Sequence, residues 1–315
     1  MPMSADPTAR VWIVVRATTP PGAPSWRRTD PGTSYRRRVT STCTGRWVRL
    51  DGTTNTRDLG GLPTTDGGRT VSGRILRSDN LQTLTGDDVR RLVDEIGLRQ
   101  VIDLRTTAEI LLEGRGPLRD VPQVTHRHFT LLPERGHHTD VFAVEEDDPA
   151  LDLAAGWTES LLPRQVAAHE QDEPPAVRSY LGYLGQRSDN VVGALRALTQ
   201  ADDGAAVVHC AAGKDRTGVV CAFALAVAGV PHEEIVADYA MTADVIDALV
   251  AKLAASPTYA EDMERRDVAS HTPRAETMDR VLTVLDERHG GASGWLTAHG
   301  FGAEEQAALR ARLRD

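Results

Sequence analysis

Residues 205–229 read AAVVHCAAGKDRTGVVCAFALAVAG, and the order of the parts decides the fold. Ala205–His209 is a short apolar run with two valines, the composition of a strand buried on both faces. A loop of small and polar residues follows. An apolar stretch from Arg216 to Ala228 is then long enough for a helix, which Gly229 and Pro231 end. A strand, a glycine-containing loop and a helix in that order bring free backbone N–H groups and the positive end of the helix dipole to one point. Such a point is an anion site.

Within the loop HCAAGKDRTG (209–218) lies Cys-x5-Arg, Cys210 to Arg216, followed by Thr217. Each residue type has a chemical reason. The thiolate is the nucleophilic form of cysteine, and a helix N-terminus ringed by N–H donors favours it, so Cys210 is read as the nucleophile. Arg216 supplies a planar fork of donors matching two phosphoryl oxygens, which Lys cannot imitate. The backbone amides of Ala211, Ala212, Gly213, Lys214, Asp215 and Arg216 are expected to hold the remaining oxygens as charge develops. The small residues Ala211, Ala212 and Gly213 let the backbone curl closely around the anion. Thr217 is expected to hydrogen-bond the sulfur. His209 is expected to orient the loop through its ring nitrogens, or else to be a satisfied core histidine.

Other readings of the loop fare worse. A nucleotide-binding P-loop would need Gly where Val208 stands and Ser or Thr where Asp215 stands. Thiol redox chemistry would need resolving cysteines, and Cys221 lies inside the apolar helix. A phosphate-reading module without turnover would not need the whole set of loop residues, all of which are intact.

Outward from the loop, Arg74–Arg77 reads as a strand. Thr85 or Gly86 opens a helix through Leu98, with Val89, Leu92, Val93 and Ile96 on one face and Gly97 at its end. Gln100–Leu104 reads as a buried strand. This β-α-β order implies a right-handed crossover and a parallel sheet. Helices are expected at Ala176–Leu184, Asn190–Leu198, 232–254, 274–288 and 303–314. The fold class is therefore α/β, a central, mainly parallel sheet flanked by helices. Residues 1–45 lack periodicity and read as a disordered extension, leaving 46–315 as the folded domain. Residues 134–185 hold a variable acidic insertion, a candidate helical lid.

The chain of 315 residues carries a net charge of −9, which argues against a nucleic-acid partner. Charge is uneven: residues 1–49 hold nine Arg against Asp6 and Asp30, a local +7, while 134–175 holds eleven Asp/Glu against Arg135 and Arg164, a local −9. Both runs read as solvated surface. The three cysteines, Cys43, Cys210 and Cys221, form neither a disulfide framework nor a metal site. No metal and no cofactor is expected. The longest apolar stretch, Val219 to Gly229, is too short to span a bilayer, and no export signal is visible. A monomer in a reducing, cytoplasmic compartment is expected, with leaderless secretion open.

HCAAGKDRTG resembles the signature of the bacterial atypical tyrosine-protein phosphatases. NTRDLGGLPTTDGGRTVSGRILRSDNL (55–81) is similar to that family's Asn-Phe-Arg-Asp-Leu-Gly-Gly opening, with Thr56 in place of the aromatic. VIDLRTTAE (101–109) and GGASGWLTAHGFGAEEQAALRARL (290–313) also fit, so the resemblance covers about 46–315. It implies the cysteine-phosphatase fold and a cysteinyl-phosphate intermediate. It also implies a phosphotyrosine protein as substrate, with phosphoserine, phosphothreonine or phosphoinositides as alternatives. Lys214 sits where lipid-competent members carry Lys and adds positive charge at the mouth. The leaving oxygen needs a proton, and Asp215 is the first candidate donor, or else a structural carboxylate that caps backbone amides or pairs with a neighbouring cation. Asp103, at the end of a parallel strand, is the second. Asp147 and Asp148 are weaker alternatives within the insertion. Arg57, Asp58 and Arg105 are expected to support the site, or to form ordinary ion pairs.

Overall fold

The computed structural model describes residues 45–132, 172–200, 204–265 and 267–314. Cys43, nearly all of the N-terminal extension, and residues 134–171 with Asp147 and Asp148 lie outside the described residues. Strands β1 (Arg57–Asp58), β2 (Ile75–Ser78), β3 (Leu98–Asp103), β4 (Thr125–His128) and β5 (Ala205–His209) make one sheet in the order β1-β2-β5-β3-β4. All pairings are parallel except β1 with β2. β5 is central and buried at every position, which is why it reads as an unbroken apolar run.

Register matters for the site. His209 at the end of β5 pairs with Ser78 of β2 on one side and Asp103 of β3 on the other. Three strands thus end at one level, the edge at which open parallel sheets place their ligands. Successive side chains alternate between faces. Ile75, Ile102 and Val208 pack on one side with Phe223, Trp295 and Leu296. Leu76, Val101 and Val207 pack on the other with Val48, Leu92 and Val93.

The helices are α1 (Gly86–Arg90), α2 (Thr107–Glu113), α3 (Pro175–Gln186), α4 (Ser188–Thr199), α5 (Asp215–Val227) and α6 (His232–Ala240). They continue with α7 (Ile246–Ala254), α8 (Ala260–Arg265), α9 (Val268–His271), α10 (Ala275–His289), α11 (Ala292–Ala298) and α12 (Ala303–Arg314). α1 opens on a reciprocal cap between Thr85 and Asp88, runs on as a π-helical turn through Ile96, and ends at Gly97 with φ of 81°. α5 is buried nearly all round, as its uniformly apolar sequence requires.

Three expectations need adjustment. α3, whose residues fall partly within the stretch assigned to the insertion, is a core helix with Val177, Tyr180, Leu181 and Tyr183 buried. The single helix expected over 232–254 is two, α6 and α7, joined by a 3-10 turn at Met241–Val245. There Thr242 is buried and meets Asn55 and Arg57. β4 was not expected: THRH has no apolar alternation, because this edge strand is only partly covered. No helix among the described residues is long and apolar enough to cross a membrane.

Candidate active site

The loop after β5 is shaped from outside. Each carbonyl from His209 to Lys214 accepts a hydrogen bond. Leu104 N reaches His209 O at 2.9 Å, Asn80 N reaches Ala211 O at 3.0 Å, and Gly218 N reaches Lys214 O at 2.9 Å. His209 Nδ1 lies 3.3 Å from Cys210 O, Asn55 Nδ2 bonds Ala212 O at 2.8 Å, and Arg77 Nη2 bonds Gly213 O at 2.8 Å. In a trans peptide the N–H points opposite the preceding C=O, so carbonyls pulled outward turn the following amides inward. The result is a nest of N–H groups above Cys210, itself 2% exposed, at the start of α5. Gly213 makes the turn possible: its φ is 64°, and a Cβ there would stand 2.5 Å from the Ser78 backbone.

Arg216 is held by a residue the sequence did not single out. Its Nη1 and Nη2 meet Glu109 Oε2 at 2.6 Å and Oε1 at 2.9 Å. Nη1 also reaches Leu104 O at 3.3 Å, and Nη2 reaches Tyr259 Oη at 3.2 Å. Tyr259 in turn donates to Glu109. Burial opposes ionisation of Glu109, but Arg216 outweighs it and holds the carboxyl below its ordinary value. Burial likewise opposes charge on Arg216, and Glu109 more than restores it.

Asp215 and Lys214 lie at the loop's rim. Asp215 keeps 36% of its side chain exposed, with Oδ2 3.6 Å from Lys214 Nζ. Tyr180 donates to the other oxygen, Oδ1. Lys214 is not a free charge at the mouth: Nζ donates to His271 O at 2.6 Å, and 14% of its side chain is exposed. Thr217 is wholly buried, and its hydroxyl has no partner among the described residues, so the expected bond to the Cys210 sulfur is not formed.

Asp103 sits below the loop. Arg105 binds it through Nε at 2.9 Å and Nη2 at 2.6 Å, and His209 Nε2 lies 3.5 Å away. Burial alone would raise the carboxyl; Arg105, by charge and hydrogen bonds, outweighs it and holds Asp103 far below the usual range. His209 is pushed down to about 4 by burial, against the pull of Asp103, and is neutral at pH 7. Neutral, it carries one ring proton, which on Nδ1 serves Cys210 O and on Nε2 would face Asp103 instead. Arg105 also reaches Asn80 Oδ1 at 3.2 Å.

Arg57 lies beneath the loop and Asp58 does not. Arg57 bonds Asn55 Oδ1 at 2.5 Å, and Asn55 carries Ala212 O. Asp58 accepts from Gly60 N at 2.8 Å and Gly73 N at 2.6 Å, which braces a turn away from the site. Asp238 of α6 gathers three guanidiniums: Arg46 at 2.6 Å, Arg57 at 3.4 Å and Arg77 at 2.5 Å. Asp79 accepts from Asn55 N at 2.9 Å and Lys252 Nζ at 2.8 Å. Asn55, Arg77 and Glu109 lay inside stretches whose resemblance was noted. Nothing in their spacing indicated what they would touch.

A buried cysteine under a nest of amides, with a buried guanidinium close by at the C-terminal edge of a parallel sheet, is a candidate phosphate-binding site. The chain belongs to the tyrosine phosphatase family, whose model matches residues 48–315. It is 29% identical over 252 residues to the triple specificity protein phosphatase PtpB of Mycobacterium tuberculosis, covering 73% of this chain and 86% of that protein. It is 32% identical over 140 residues to a tyrosine-protein phosphatase of Nostoc commune, covering 43% of this chain and 48% of that one. The chain thus spans about half the length of the Nostoc relative. The family and the mainly parallel sheet expected from the sequence are both found.

Proposed function

We propose that the protein, through residues 46–315, hydrolyses phosphate monoesters on proteins, phosphotyrosine foremost, by way of a cysteinyl-phosphate on Cys210. The observation that carries this reading is the loop itself, with its carbonyls bonded outward and its amides turned in over a buried cysteine. In the first step the Cys210 thiolate attacks phosphorus, the S–P bond forms, and the P–O bond to the leaving group breaks. Asp215 gives its proton to the departing oxygen. In the second step water attacks phosphorus, Asp215 takes back a proton, and the S–P bond breaks to release phosphate and thiolate.

Of Arg216's five N–H donors, the structure engages four, on Glu109, Leu104 and Tyr259. Nε–H, and the Nη2–H that rests on Tyr259 Oη at 3.2 Å, are the ones a phosphoryl group would take. Asp215 is assigned as the acid over Asp103 because it is partly exposed at the rim, whereas Asp103 is buried and locked to Arg105. Phosphoserine, phosphothreonine and phosphoinositides are the candidate further substrates.

Turnover of p-nitrophenyl phosphate by Cys210→Ser and Arg216→Ala is the test. Each is expected to lose at least about 1,000-fold in kcat/KM, with EDTA without effect on the wild type. Full activity in Cys210→Ser would overturn the reading. Kinetic comparison of phosphotyrosine, phosphoserine and phosphoinositide substrates then ranks the substrate classes.

A further inference from the structure

Behind Asp215 runs a short chain of buried phenols that the reaction scheme has not used. Tyr180, on α3, donates to Asp215 Oδ1. Its oxygen lies 2.7 Å from the hydroxyl of Tyr239, on α6. Each phenol has one proton. With Tyr180's committed to the carboxylate, Tyr239 must donate to Tyr180, so the direction of the chain is fixed whenever Asp215 is ionised.

The geometry is rigid. Tyr180 and Tyr239 are 1% and 3% exposed. Tyr183 stacks on Tyr180 with ring centroids 5.8 Å apart, and Tyr239 meets it edge-on at 6.1 Å. Gly218 admits Tyr239 to α5: a Cβ there would stand 3.0 Å from the Tyr239 ring. Burial, and then the Asp215 charge, push the Tyr180 hydroxyl well above its ordinary value, so it stays a neutral donor across the working pH range. The two carboxylate oxygens are therefore unlike. Oδ1 faces the phenols, while Oδ2 faces the rim and Lys214.

We propose that Tyr180, backed by Tyr239, is a positioning residue for proton transfer, engaging Oδ1 of Asp215 as an acceptor so that the transferable proton rides on Oδ2. The proposal rests on the reading of Asp215 as the general acid. In the step that forms the Cys210–phosphorus bond, the proton leaves Oδ2 for the ester oxygen, and the carboxylate left behind keeps the Tyr180 bond. Without that bond the carboxyl can rotate and can carry its proton on the inner oxygen, out of reach of the leaving group.

The test compares two esters in Tyr180→Phe, Tyr239→Phe and Asp215→Asn. Phenyl phosphate needs its leaving oxygen protonated; p-nitrophenyl phosphate departs as a stable phenolate and does not. Tyr180→Phe is expected to lose about tenfold in kcat/KM on phenyl phosphate and less than about twofold on p-nitrophenyl phosphate, with inhibition by inorganic phosphate unchanged. Tyr239→Phe should lose less, with the same selectivity. Asp215→Asn should lose most, and adding Tyr180→Phe to it should cost nothing further.

Equal losses on both esters, or none on either, in Tyr180→Phe would overturn the proposal while leaving Asp215 in place. An Asp215→Asn enzyme without leaving-group selectivity would overturn the general-acid reading instead. Should Tyr180→Phe fail to fold, Tyr239→Phe decides: selective loss supports the chain, and wild-type rates on phenyl phosphate refute it.

Discussion

Glu109→Gln is the substitution that most directly probes how the site is held. Both partners of the Glu109–Arg216 pair are buried, at 0% and 8% side-chain exposure, and joined by two bonds of 2.6 Å and 2.9 Å. Glutamine keeps the volume but removes the charge, and its one carbonyl oxygen can serve only one of the two Nη groups. At the Oε2 position the amide nitrogen would face both Nη1 and Thr106 N, which donates there at 2.7 Å; at the Oε1 position it would face Nη2 and the Tyr259 hydroxyl. Leaving a buried guanidinium without its counter-charge costs about 3–5 kcal/mol. For a domain of this size that corresponds to a fall of about 10 °C in Tm.

Catalysis suffers separately, because a fork displaced by about 1 Å loses about 100-fold in rate. Thermal unfolding and kcat/KM on p-nitrophenyl phosphate measure the two losses. The pH dependence has a definite sign. Glu109 is held below its ordinary value, so its contribution is complete above an unfolded-state pKa of about 4.3 and is lost only as pH falls through the lower, folded-state value. The gap between wild type and variant should therefore be full at pH 7 and close only in strong acid. A Tm within about 2 °C of wild type at pH 7, together with kcat/KM within about threefold, would refute the role assigned to this pair.

Gly213→Ala should fold yet lose at least about 100-fold in kcat/KM. The new Cβ meets the Ser78 and Asp79 backbone at 2.5–2.7 Å, at a φ of 64°, and nothing there can yield without moving the loop off Arg77. Near-wild-type turnover would show the turn to be dispensable. His209 supplies a pH-dependent stability term. Its folded value of about 4 lies below the unfolded 6.5, so its stabilisation is complete above pH 6.5 and lost on acidification toward pH 4, up to about 3 kcal/mol. His128, also lowered by burial, titrates in the same direction. The urea midpoint should thus fall from pH 7 to pH 5, and His209→Gln should flatten that slope without abolishing it; an unchanged slope would remove His209 from the account.

What was legible in the sequence follows from what makes a signal local. β5, the loop and α5 are contiguous and buried, so their apolar runs and the small residues between them state the fold directly. β4 pairs only at an edge and leaves no such pattern. The partners of the candidate site residues are illegible for another reason: Glu109 lies 107 positions from Arg216, and Tyr180 lies 35 from Asp215. Only the tertiary fold brings them together.

The site's excess positive charge does not lie at Lys214. From sequence, the extra cation at the loop was Lys214, but its ammonium is tied to His271 O and beside Asp215. The excess lies behind the loop, where Arg46, Arg57 and Arg77 share the single carboxylate of Asp238. Three guanidiniums share that carboxylate, with Asp58 near Arg46 as a further negative group, so the cluster carries net positive charge. Arg77, fully buried, passes that field directly to the loop through Gly213 O. On the function proposed above, a phosphoryl dianion held by the loop would meet that charge, and Gly213 and Arg77 would act on the same anion from two sides.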